Sequence, residues 1–162
     1  MELVHGKTFV EYVRQEPSAA VRAARAREAL VQLIEGVLEL HRRGIRHGDI
    51  KPSNVLVSAG GRVVLLDFGL ATNVGQREFI NGQIAGTPAY LSPEQWFDAN
   101  VSTASDWYSV GATLYHALTG TPPFVGMPRE VIERKMLVDP EPAAKIAPET
   151  PDELSELCMP ST

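Results

Sequence analysis

Cysteine is almost missing from this chain. Cys158 stands alone, so no intramolecular disulfide can form, and a reducing compartment is the expected setting. Long apolar runs are missing too: none approaches the roughly 20 residues that cross a bilayer. The N-terminus lacks the basic, apolar, small-residue order of a secretion signal. The chain therefore reads as cytoplasmic, with no membrane segment. Nor is positive charge in excess. Fifteen Lys and Arg against 20 Asp and Glu leave a formal charge of −5, which argues against broad nucleic-acid binding. Arg22, Arg25 and Arg27 read as decoration of a solvated helix face. No internal repeat is visible.

What remains fits one domain over residues 1–162, since 162 residues at 44% apolar content can bury a sizeable core. Thr8 to Gln15 can form a short helix, which Pro17 breaks. Ser18 can cap a longer one, in which Leu30, Leu33, Ile34, Val37, Leu38 and His41 draw one stripe at three- and four-residue steps. Arg42 and Arg43 suit that helix's C-terminal dipole, and Gly44 can take the left-handed stop. Two short apolar runs, Val55–Val57 and Val63–Leu66, bracket Ser58-Ala59-Gly60-Gly61 as a hairpin. From Asp67 to Glu94 the chain is polar and Gly-rich, and reads as a long functional loop. Trp107, Val110, Gly111, Leu114, Tyr115 and Leu118 form a second helical stripe, stopped by Gly120 and Pro122-Pro123. Pro128 can open a third helix to about Val138. A Pro-rich linker then leads to Asp152–Leu157, the start of a last helix.

The chemistry concentrates in His47-Gly48-Asp49-Ile50-Lys51-Pro52-Ser53-Asn54 and, after the hairpin, Asp67-Phe68-Gly69. Two acids, a lysine and an asparagine at strand ends gain little for a fold unless they hold a charged ligand. The set suits phosphoryl transfer, in which one aspartate orients a hydroxyl nucleophile while an asparagine and a second aspartate hold Mg²⁺ beneath a nucleotide's phosphates. On that reading Asp49 accepts the hydroxyl proton, Lys51 steadies the transferring phosphate, and Asn54 and Asp67 are the metal ligands. The plain alternatives are a turn cap for Asp49, a surface charge for Lys51, a loop terminator for Asn54 and an Asx-turn for Asp67.

Two further segments extend the pattern. Gly86-Thr87-Pro88-Ala89-Tyr90-Leu91-Ser92-Pro93-Glu94 resembles the end of a protein-kinase activation segment. Asp106-Trp107-Tyr108-Ser109-Val110-Gly111 resembles the start of the long buried helix beneath the kinase site. With the four signatures in kinase order and spacing, the chain resembles a bacterial serine/threonine protein kinase over nearly its whole length, but only the helical C-terminal lobe. The resemblance implies an α+β, mainly α-helical fold with one or two short β-hairpins at the active site and no N-terminal lobe. It also implies transfer of the ATP γ-phosphate to a protein serine or threonine, with ATP and Mg²⁺ as cofactors.

Further roles come from the resemblance alone. Met1–Gly6 resembles the hinge, where the backbone at Glu2 and Val4 meets the adenine edge. Leu56 matches the position that floors the adenine pocket, with a simple core leucine as the plain alternative. Thr87 bridges Asp49 and Lys51, or is a phosphorylation site, as Thr72 can be. His47 packs structurally on Phe68, and Asp106 anchors the catalytic-loop backbone from below. Three departures qualify the match. Gly48 stands where many kinases have arginine, which removes a switch that pairs with a phosphorylated loop. His116 stands where many have glutamate, which leaves a basic-substrate preference unsupported. The Gly-rich lid, the strand lysine and its glutamate partner are expected to be absent, as are the late helices. This polypeptide alone is therefore expected to be weak or inactive. Apolar surface around Leu3, Leu56 and Phe68 would await another kinase chain or a separate N-lobe. A pseudokinase-like regulatory fragment and a small-molecule phosphotransferase are the alternative readings; Lys51 and the 86–94 segment argue against the latter.

Overall fold

The computed structural model of the chain describes residues 5–66, 79–80, 83–84, 88–97 and 102–158. The helix expected over 8–15 is one residue shorter at each end, with Thr8 in a strand and Gln15 as its C-cap. β1 (Gly6–Thr8) lies antiparallel to β2 (Val55–Ser58), and α1 (Phe9–Arg14) starts directly after it. Thr8 ends one element and caps the other: its hydroxyl accepts from Glu11 N–H while Glu11 accepts from Thr8 N–H, a reciprocal capping box. Gly6 allows the close approach, since a Cβ there would lie 2.7 Å from the Val57 carbonyl oxygen. The predicted hairpin forms as β2 and β3 (Val63–Leu65), turned at 59–62 with Ser58 N–H donating to Arg62 O. The result is a three-stranded sheet in the order β1-β2-β3.

α2 (Ala19–Arg42) is capped by Ser18 and followed by Gly44 at φ 73°, as expected. Its buried stripe is wider than the sequence reading: Ala23, Ala26 and Ala29 extend it upstream of Leu30, Leu33 and Val37, whereas Leu38 is exposed. Small side chains there let neighbouring elements lie close. The arginines are not mere decoration. Arg25 lies over the Tyr12 ring and pairs with Glu16, Arg22 donates to Glu16 O and Pro17 O and pairs with Glu149, and Arg27 pairs with Glu153. They fasten the α1–α2 connection and the C-terminal segment to α2.

Within the 67–94 segment, two short strands pair antiparallel, β4 (Phe79–Ile80) with β5 (Gln83–Ile84). Its end is the helical turn α3 (Pro93–Trp96), with Ser92 as N-cap. α4 (Thr103–Thr119) stops at Gly120 with φ 88°, and α5 (Pro128–Leu137) opens on proline as predicted. The Pro-rich linker holds one unforeseen turn, α6 (Ala143–Ile146), before α7 (Asp152–Leu157). α4 packs on α1 and α2, and the core joins Phe9, Val13, Leu33, Val37, Val55, Val57, Val110, Leu114 and Leu154. No helix among the described residues is long and apolar enough to cross a membrane.

Leu33 is 1% exposed at the centre of this core. Leu33→Ala should cost about 2–5 kcal/mol through lost transfer energy and a residual cavity. Urea unfolding checks this; a loss below about 1 kcal/mol would mean that the helix stripe is not packed as described.

Candidate active site

Residues 45–51 form neither helix nor strand, so their backbone groups need partners from elsewhere. Asp106, in the first turn of α4, supplies two of them. Its carboxylate accepts from His47 N–H at 2.9 Å and from Gly48 N–H at 2.8 Å, and His41 Nε2 lies 2.8 Å from the same group. With Asp106 only 2% exposed, three donors offset the desolvation of the charge. The expected anchor is therefore present, and His41 is its unforeseen third partner. On the sequence His41 counted as one more member of an apolar stripe. A polar residue on a buried helix face was the available signal.

His47 is fully buried and structural in its contacts. Its Nε2 donates to Leu66 O at 2.8 Å, and its Nδ1 accepts from Asp49 N–H at 3.2 Å. Gly48 takes φ 76°, a left-handed backbone that favours glycine, and its carbonyl accepts from Gln95 Nε2 at 2.9 Å. The loop thus presents Asp49 with three successive N–H groups, at 47, 48 and 49, and the carbonyls of Gly48 and Asp49 all bound. The Asp49 carboxylate is held by Lys51 Nζ at 2.8 Å and Asn54 Nδ2 at 2.9 Å; the same Asn54 nitrogen donates to Asp49 O at 2.8 Å. Asp49 and Lys51 keep side-chain exposures of 31% and 24%, enough to meet a ligand.

Asn54 closes a 3₁₀ turn over Pro52–Asn54, and its carbonyl accepts from Leu66 N–H at 2.8 Å. That bond ties the end of the hairpin, just before Asp67, to the catalytic loop. Leu56 lies between Thr8 and Val64 across the sheet, and its neighbours Val55 and Val57 are buried in the core, so Leu56 faces the other side. The structure therefore brings Asp49, Lys51 and Asn54 together. Glu2, Val4, Asp67 and Thr87 lie outside the described residues, as do Leu3, Phe68 and Thr72. Among the described residues no group of three or more His, Cys, Asp or Glu could hold a metal. Of the two expected metal ligands, Asn54 lies among the described residues, with its amide nitrogen bound to Asp49.

The 88–97 segment sits against α4 and α5. Ser109 Oγ donates to Tyr90 O at 2.9 Å, and Ser105 Oγ donates to Glu94 Oε1 at 2.5 Å. Burial raises Glu94, but hydrogen bonds from Ser105, its own backbone and Ser92 outweigh it and hold the carboxyl below its ordinary range. Tyr90 Oη lies 2.7 Å from His116 Nδ1, with the rings stacked. Burial, then the charge of Arg14, pushes His116 below its ordinary value, against a hydrogen bond with the Gly120 backbone. A neutral ring with Nδ1 as acceptor follows. Lys135 on α5 reaches the same segment, and burial pushes its ammonium down to about 7 while carbonyl acceptors favour the charged form. Sequence reasoning missed both Gln95 and Lys135.

Residues 1–159 match the family model described as the protein kinase domain. The chain belongs to the protein kinase family. It is 42% identical over 127 residues to the serine/threonine-protein kinase PknL of Mycobacterium tuberculosis, covering 78% of this chain and 31% of that protein. It is 38% identical over 156 residues to the serine/threonine-protein kinase pkn2 of Myxococcus xanthus (91% and 18%). It is 34% identical over 163 residues to PknB of Mycolicibacterium smegmatis (98% and 26%). The kinase chain thus spans about a third or less of the length of these relatives.

Two outcomes test this geometry. Asp106→Ala should destabilise the fold by about 3–5 kcal/mol, because two buried N–H groups and His41 lose their acceptor. Asp106→Asn, which keeps one oxygen, should lose about half as much; equal losses in denaturant titration would contradict the two-acceptor account. His116 binds its proton less readily folded than unfolded, so the unfolded chain protonates first as pH falls through about 6.5. Stability from this residue is complete above that pH and declines below it. The wild-type Tm should therefore fall more between pH 7.5 and 5.5 than that of His116→Gln.

Proposed function

We propose that this chain carries the phosphotransfer machinery of a serine/threonine protein kinase, acting on serine or threonine hydroxyls of a protein. The observation that carries the reading is the grip on Asp49: one carboxylate, partly exposed, fixed by a lysine and an asparagine that are themselves set by the loop. Asp49 accepts and orients the substrate hydroxyl, within reach of its proton once a substrate is bound. Lys51, already beside that carboxylate, places a positive charge where negative charge would build on the transferring group. Thr87 completes the hydroxyl-acceptor site.

Asn54 and Asp67 are the residues proposed to hold Mg²⁺, which suits an ion that takes one or two protein oxygens and leaves the rest to phosphate and water. When bound, ATP with Mg²⁺ supplies the phosphoryl group and neutralises its oxygens. The donor chemistry fits: an amide oxygen from the described loop and a carboxylate one residue beyond Leu66. The adenine site is assigned to the Glu2 and Val4 backbone, with Leu56 as its floor. That side chain lies on the sheet face turned from the core, which supports the assignment. The domain, residues 1–162, corresponds on this reading to the C-terminal lobe, with phosphate-lid residues coming from elsewhere in the protein or from a partner. A small-molecule phosphotransferase fits less well, because an 88–97 segment latched onto two helices is a platform for an extended peptide.

Two measurements decide this. A fluorescent ATP analogue should bind the chain more tightly with Mg²⁺ than with EDTA; no binding at millimolar nucleotide would leave only the reading of a silent regulatory fragment. With an N-terminal kinase lobe supplied, Asp49→Asn should lower kcat for peptide phosphorylation by about 10²–10⁴. Undiminished turnover in that variant would falsify the role given to Asp49.

A further inference from the structure

Pro88 to Leu91 form an irregular turn whose carbonyls have no ladder to join. Each of the four nonetheless has a side-chain donor. Lys135 Nζ donates to Pro88 O at 2.7 Å, Ala89 O at 2.9 Å and Leu91 O at 2.6 Å, while Ser109 Oγ takes the remaining Tyr90 O at 2.9 Å. One ammonium has three N–H groups, and all three are spent here. The segment is therefore curled around a single point, with Tyr90 turned the other way onto His116. The Lys135 ammonium also lies 4.9 Å from the centre of the Tyr108 ring, which favours a cation. Ala89, Tyr90 and Leu91 are nearly buried, so unpaired carbonyls there would be costly.

We propose that Lys135 is a positioning residue of this kinase: by gathering three carbonyls it sets the shape of the 88–91 turn and hence the fit of the substrate peptide. The proposal rests on the kinase reading above, in which this segment receives the peptide. Geometry distinguishes it from a general packing role. An arginine's planar fork presents its donors outward and cannot converge on three oxygens about one point. A methionine would keep the stem packed and remove every donor.

Lys135→Met and Lys135→Arg, with Lys135→Gln as a variant that keeps two N–H donors, test this on two readouts. Hydrogen–deuterium exchange on the chain itself should be faster at 88–92 in Lys135→Met and unchanged at 47–54; it needs no activity. In the phosphorylation assay with an N-terminal lobe supplied, peptide KM should rise about tenfold in Lys135→Met, equivalent to about 1.4 kcal/mol. KM for ATP should stay within about twofold of wild type, with Gln intermediate and Arg close to Met. Faster 88–92 exchange in Lys135→Met, beside a parent that phosphorylates nothing, would keep the latch and sink the kinase reading. An active parent whose Met variant matches it in peptide KM and in exchange would sink the positioning role. So would equal rises in both KM values, the mark of a general structural loss.

Discussion

A buried carboxylate that must be paid for three times over is the constraint on which this structure rests. Asp106 is almost without solvent and placed at the start of the central helix. Its desolvation is tolerable only if donors converge on it. The donors come from the end of α2 and from two successive amides of the catalytic loop. The end of α2 and the loop that follows it are thereby joined to a helix that lies 59 to 65 residues further along the sequence. Hydrophobic packing of α4 on α1 and α2 is non-directional and by itself would allow α4 to slide or rotate by small steps. Hydrogen bonds to a single carboxylate do not. Packing brings the helices together, and Asp106 sets their register against the loop.

The same helix also anchors the 88–94 segment. Ser105, Ser109 and His116 share α4 with Asp106, and each binds the 88–94 segment. Gln95 links that segment to the catalytic loop through Gly48 O. The loop that carries Asp49 and the 88–94 segment are therefore both fixed to one helix, which under the proposed function would hold the reacting carboxylate and the peptide platform in register. For a reaction that depends mostly on positioning and electrostatics, that arrangement is what lets a small fold hold a precise distance.

Most of the framework could be read from the sequence because the signals were local. Ser18, Gly44, Gly120 and Pro128 act on helix ends through caps and backbone angles, and these need no tertiary information. The hairpin turn at 58–62 was similarly legible. β1 was not, since Gly6-Lys7-Thr8 carries no strand pattern and forms one only because β2 offers an edge. The site divided in the same way. Asp49, Lys51 and Asn54 share one loop, and their spacing placed them together. Gln95 and Lys135 act on backbone groups 47 and 44–47 residues away, so nothing in their own neighbourhood marks them. Arg22, Arg25 and Arg27 misled for a related reason: a charged face looks solvated until its partners at Glu16, Glu149 and Glu153 are placed.

Gly48 shows how far the loop's order is independent of charge beside its aspartate. Where relatives of this type can carry arginine, this chain has no side chain, and the backbone takes a positive φ that glycine accepts without strain. Its N–H is bound by Asp106 and its C=O by Gln95, so both main-chain groups are fixed from within the fold. A cation at this position could add a contact to a phosphate, but it is not needed to hold Asp49 outward. Shape at this point comes from Asp106 below and Gln95 beside it.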